Sequence, residues 1–144
     1  MKRLLVIWLL LAGGAAWAGL DEAPTSGDAA AVQTTQAQTA AGVAYNVVHR
    51  TQRTGVVIDE YVDAAGKVFA VSWSGPFKPD LKRLLGRYFD ALGAGNAAHR
   101  GRRSRVEVNT GDLVVQSGGH MGAFEGRAWV QSRLPAGFDP QEMK

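Results

Sequence analysis

The sequence predicts an α+β domain: an antiparallel sheet built from two three-stranded meanders flanking one amphipathic helix, with room for a short N-terminal helix. Two patterns carry this expectation. Residues 67–74 (KVFAVSWS) alternate along an extended chain, and Leu81, Leu84, Leu85, Tyr88, Phe89 and Leu92 recur at helical spacing. Size and composition agree with one globular unit. The chain has 144 residues, 46% hydrophobic and 20% charged, which is one domain's worth of material and too apolar for wholesale disorder.

Lys2 and Arg3 open the chain with positive charge, and residues 4–12 (LLVIWLLLA) are an unbroken apolar run. Gly13 and Gly14 then loosen the helix, and Ala16 and Ala18 put small residues where a signal peptidase reads. Spanning a bilayer takes about 20 apolar residues, so the run is a cleavable secretory leader and not an anchor. Cleavage after Ala18 is expected, giving a periplasmic or secreted protein with no transmembrane segment left. The leader takes Lys2 and Arg3 with it, so 14 basic residues face 13 acidic ones. That near balance removes the case for nucleic-acid binding, which rests on a large basic excess. With no Cys in the chain, disulfides, zinc–thiolate sites and thiol nucleophiles are excluded.

Residues 19–28 are polar and rich in Gly, Pro and Ser, and read as a flexible N-terminus. Asp28 suits the cap of a helix over residues 29–40, with a disordered continuation as the alternative; only Val32 there is a sizeable apolar residue. Val43, Tyr45 and Val47 begin strand-like alternation, and residues 56–62 form a second β-branched and aromatic run. Asp63-Ala64-Ala65-Gly66 is turn chemistry. In the next strand Phe69, Val71 and Trp73 are expected on one face, with Trp73 in the core. Pro79 and Asp80 start the helix, and Gly93 and Gly95 end it. Short strands follow at 106–108, 113–116 and 123–131. The domain is thus bounded at residues 29–134, with a tail at 135–144 held at most by Leu134 and Phe138.

Several stretches together resemble a known family. These are Glu60-Tyr61-Val62, Gly66-Lys67-Val68-Phe69-Ala70-Val71 and Trp73-Ser74-Gly75-Pro76-Phe77-Lys78-Pro79-Asp80-Leu81. Val114-Val115-Gln116-Ser117-Gly118-Gly119-His120-Met121 and Leu134-Pro135-Ala136-Gly137 extend the likeness, with Phe124, Gly126, Arg127 and Ala128 between them. The chain is similar over nearly all of its length after the leader to a proteobacterial family known only as domain of unknown function 2844. The resemblance implies a one-domain bacterial protein bearing a signal peptide, and it implies no activity.

Candidate chemistry is sparse. Ser117 and His120 share a Gly-rich loop, which invites a hydrolase with Ser117 as nucleophile, but the Gly-x-Ser-x-Gly elbow is absent. His49, His99 and His120 share no ligand spacing, so no metal site is expected, and no glycine pattern for a nucleotide or other cofactor is present. Lys82, Arg83 and Arg87 fall on the helix face away from the apolar stripe, with Gly86 beside them offering close approach to another chain. Arg100, Arg102, Arg103 and Arg105 lie in the following loop and complete a candidate cationic patch. Such a patch suits an envelope protein or an anionic envelope surface. Arg127 and Trp129 on the last strand, with His120, are further binding candidates. The reading is an exported, non-catalytic binding or accessory module, with the Ser117–His120 hydrolase as the alternative. An assembly subunit that pairs through a sheet edge is a third option.

Overall fold

The computed structural model describes residues 19–27, 29–98 and 105–143. Its strands are β1 (Ala29–Gln38), β2 (Ala44–Gln52), β3 (Val57–Val62), β4 (Val68–Gly75), β5 (Arg105–Thr110), β6 (Leu113–His120) and β7 (Ala123–Val130). They make one seven-stranded sheet in the order β1-β2-β3-β4-β7-β6-β5, antiparallel throughout. Four strands run out in succession, the helical segment crosses over, and three strands return from the far edge to β4. The fold is therefore mostly β with some helix.

The extra strand is β1. Residues 29–38 were expected as a helix or as disordered chain, and they form an edge strand instead. The reason is physical. A helix with Val32 as its only large apolar residue has little to bury, whereas an edge strand needs only one neighbour for its backbone ladder. Val32, Thr34 and Thr35 are β-branched and suit that geometry.

The helical segment is α1 (Leu81–Leu85), a 3₁₀ turn (Gly86–Tyr88) and α2 (Phe89–Ala98). Asp80 caps α1, its carboxylate accepting from the Arg83 backbone N–H at 3.2 Å. Gly93 does not end the helix as expected, nor does Gly95; the break falls earlier, at Gly86, which has φ +54°. The close approach that Gly86 permits is made by the chain's own N-terminal segment. Leu20 N–H donates to the Leu84 carbonyl at 3.0 Å, and a Cβ on Gly19 would lie 2.9 Å from Gly86 N. The apolar stripe survives the break, with Leu84, Leu85 and Leu92 buried and Leu81, Tyr88 and Phe89 packed around them.

Both faces of the sheet carry apolar clusters. On the helix side Val56, Ile58, Val68, Val71, Trp73, Val108, Val115 and Val130 pack with Leu20 and the helical leucines. On the opposite side lie Val47, Tyr61, Phe69, Ala70, Val114 and Trp129. A bulge in β4 makes this double duty possible. Tyr61 pairs with Ala70 and Val62 with Val68, which leaves Phe69 as the extra residue. Phe69 thus joins Ala70 on the second face, not Val71 and Trp73 as strict alternation predicts. Trp73 is core as expected, and it lies over Gly126 of β7, its register partner.

Each face carries a covering chain segment. Residues 19–25, expected to be flexible, fold onto the helix side: Leu20 is 0% exposed, and Asp21 N–H and the Glu22 carbonyl both bond Val68. Buried Glu60 accepts from the Thr25 N–H at 2.8 Å and its hydroxyl at 2.7 Å, with Arg50 at 3.5 Å. Asp21 is also buried, and its carboxylate pairs with Arg87 and with Arg133, the latter at 2.7 Å. The C-terminal tail covers part of the other face. Phe138 lies 4.9–5.7 Å, centroid to centroid, from the rings of Tyr45, Tyr61 and Phe69, and Met143 joins Trp129.

A Cβ on Gly126 would fall 2.3 Å from the Trp73 ring. Gly126→Ala should therefore destabilise the domain by about 1–3 kcal/mol through overpacking, seen as a lower urea midpoint with unchanged slope.

Candidate functional site

The tail covers only part of its face, and antiparallel register decides what stays open. One row of directly opposed residues is apolar: Val47, Tyr61, Ala70, Trp129 and Val114. The next row crosses all seven strands as Gln33, His49, Asp59, Ser72, Arg127, Gln116 and Glu107. Strands sit about 4.8 Å apart, so this polar row spans about 30 Å. The row beyond it contains Ser74, Glu125, Gly118 and Arg105.

Over β4, β7, β6 and β5 these two rows floor a cleft of about 400 Å³, with Gln141 and Met143 of the tail as its wall. That is within the size range of small-ligand sites. The lining carries both signs of charge, Arg105 and Arg127 against Glu107 and Glu125. Arg127 is committed to the wall: it donates to Gln116 at 2.9 Å, to the carbonyls of Pro140 and Gln141, and to Gln141 Oε1 at 2.6 Å. Gln116 in turn reaches Glu107 at 3.5 Å. Arg105, Ser74 and Glu125 are exposed at the mouth.

At the other end of the polar row, three side chains form a relay. Thr35 Oγ1 lies 3.0 Å from His49 Nε2, and His49 Nδ1 lies 2.8 Å from Asp59 Oδ1. Asp59 is largely buried and His49 is 40% exposed. These three residues sit on β1, β2 and β3, far apart in sequence, and only the register brings them together.

The residues singled out from the sequence divide between the faces. Lys82 is exposed, but Arg83 is bonded to the Ser26 carbonyl at 2.7 Å and Arg87 is paired with Asp21. Arg105 projects away from the helix, because its neighbours Val106 and Val108 face it. Arg105 therefore does not join Lys82, Arg83 and Arg87 in one cationic patch. Arg100, Arg102 and Arg103 lie outside the described residues, as does His99. Trp129, expected as a contact residue, is buried beneath Met143 because the tail covers that row. Ser117 and His120 do not form a dyad. Three positions apart on β6, they project to opposite faces, and His120 Nδ1 bonds the Met121 carbonyl at 3.1 Å instead. No three His, Asp or Glu side chains converge among the described residues.

The fold and cleft together define a β-rich domain with an open, mixed-charge site of ligand size. The chain belongs to the DUF2844 family, whose model, described as "Protein of unknown function (DUF2844)", matches residues 16–143. Neither the curated proteins nor the solved structures provide a match. No helix among the described residues is long and apolar enough to cross a membrane.

The wall depends on how the tail is launched. Ser132 donates its N–H at 2.8 Å and its hydroxyl at 2.9 Å to the Asp112 carboxylate. These two bonds, the backbone one foremost, hold the Asp112 carboxyl below its ordinary value of 3.8, and Arg133 adds to the effect. A carboxyl depressed on folding stabilises above its ordinary value, and that stability disappears as pH falls through the depressed one. Asp112→Asn should thus be less stable than wild type at pH 7, with the gap closing in the acid range below 3.8. Urea midpoints measured across pH check this.

Proposed function

We propose that the protein is an exported, non-catalytic accessory module that holds a peptide segment of an envelope partner in the cleft beside the tail. The observation that carries this reading is the pairing of exposed charges of opposite sign beside an exposed serine hydroxyl. Arg105 suits a carboxylate and Glu125 an ammonium, while Ser74 suits a peptide's amide groups. A uniformly anionic surface is a poorer fit, since Glu107 and Glu125 would repel it. Export is supported by the tripartite leader of residues 1–18. Cleavage after Ala18 would free a chain whose second residue, Leu20, is fully buried.

One arrangement favours a catalytic reading: the hydroxyl–imidazole–carboxylate order of Thr35, His49 and Asp59. As a hydrolase, the protein would cleave activated esters and lose that activity on His49→Ala. As a binding module, it would leave them at the buffer rate.

Amide chemical-shift mapping with acetylated and amidated Asp-Lys and Lys-Asp dipeptides tests the cleft. The expected result is saturable shifts at Ser74, Gly118 and Glu125, abolished when both side chains are replaced by Ala. Arg105→Ala and Glu125→Ala should weaken binding by about tenfold each, as expected for a charge-assisted hydrogen bond of about 1.4 kcal/mol or more. Shifts elsewhere, or shifts unchanged in both variants, would contradict the assignment.

A further inference from the structure

Among the described residues, strand β1 is the outermost strand and pairs only with β2. Its ten residues, AAAVQTTQAQ, contain no charge and no Pro, and residues 30–36 are all exposed. An edge strand turns alternate N–H and C=O groups outward, where they template another strand unless something blunts them. The opposite edge is blunted. β5 is six residues long, carries Arg105 and Glu107, and has α2 packed against it. On β1 the only irregularity is a register shift at Ala29/Ala31, at its far end.

We propose that β1 pairs antiparallel with β1 of a second copy, across a two-fold axis perpendicular to the sheet, so that one sheet runs through both protomers. A second copy suits this edge because the strand is uncharged along its whole length and carries adjacent Thr residues, Thr34 and Thr35, near its middle. Each residue must stay on its own face of the joined sheet, so the register is centred on a residue that meets itself. Centring on Thr34 or on Thr35 sets Thr against Thr at the axis and Gln against Thr beside it. Opposed Thr residues are a favourable cross-strand pair, and no like charges meet anywhere along the strand. Val32, 55% exposed, gains a cross-strand neighbour in either register. The two-fold arrangement is closed and makes a dimer, not a fibre.

Because the chain has no Cys, single substitutions report the register cleanly. Only the residue on the axis faces its own copy within the reach of a disulfide, about 7 Å between Cα atoms. Under mild oxidation of the exported protein, either Thr34→Cys or Thr35→Cys should crosslink to a dimer, and Val32→Cys and Ala37→Cys should not. Equal crosslinking at all four positions, or none at any, overturns the proposal. Sedimentation provides the second measurement. The wild-type protein should dimerise reversibly between about 1 and 500 µM, and Thr34→Lys with Gln36→Lys should raise the dissociation constant by about tenfold or more. A wild-type protein monomeric throughout, or a dimer indifferent to both lysines, also overturns it. The cleft has no part in this contact, so dimerisation and dipeptide binding stand or fall separately.

Discussion

A strand in the middle of a seven-stranded sheet has two faces to keep dry, and β4 meets that demand by breaking its own alternation. The bulge at Phe69 sends two neighbouring residues, Phe69 and Ala70, to one side, while Val68, Val71 and Trp73 remain on the other. Six consecutive residues of β4 are buried as a result. Burying a large apolar side chain is worth about 1.5–3 kcal/mol, so a sheet built this way gains on both faces provided that both are covered. The rest of the architecture supplies those covers.

The two covers are made differently, and the difference creates the open site. On the helix side, α1 and α2 lie with an N-terminal segment that inserts Leu20 and adds a parallel bridge from Leu20 to Val68 of β4. Buried Asp21 then ties three distant pieces together through Arg87 and Arg133. Leaving such a carboxylate unpaired would be strongly destabilising, so the segment, the helical turn and the start of the tail are held as a unit. On the other side the cover is a single strap of chain. It has enough apolar residues, Leu134, Phe138 and Met143, to close the aromatic row and no more. The polar rows beyond it stay partly open to water, at Ser74, Arg105, Glu107 and Glu125, and charges of both signs collect there.

Much of this was legible in the sequence wherever a residue's fate depended on near neighbours. Strands β2 to β4 and the stripe from Leu81 to Leu92 follow from local periodicity, and Trp73 was placed correctly in the core. What failed depended on distant partners. Strand β1 exists because β2 offers it a ladder; Val32, Thr34 and Thr35 were the only local hint. Trp129 sits on the less apolar side of its strand, yet a tail segment ending at Met143 buries it. Arg83 and Arg87 read as free cations because nothing nearby in sequence reveals Ser26 or Asp21 as their partners. Arg105 and Arg127 were chosen for their charge and do line the cleft, but Glu107, Glu125 and the Thr35–His49–Asp59 relay emerge only once strand register is known. Register across seven strands is a long-range property, and a one-residue slip would move every one of these groups to the other face.

The central claim is that residues 19–25 and 134–143 are structural covers of one sheet, and that the strap at 134–143 bounds the cleft. Native-state hydrogen exchange, resolved by segment, tests it most directly. The account predicts that the amides of Leu20 and Asp21, bonded to Leu84 and Val68, and that of Phe138, bonded to Pro135 in a turn of the strap held against the sheet, exchange far more slowly than exposed chain. It predicts that Leu20 and Asp21 open together with Val68 of β4. Exchange of both segments at the rate of unstructured peptide, while β4 stays protected, would mean that the sheet does not need its covers and that the cleft has no wall.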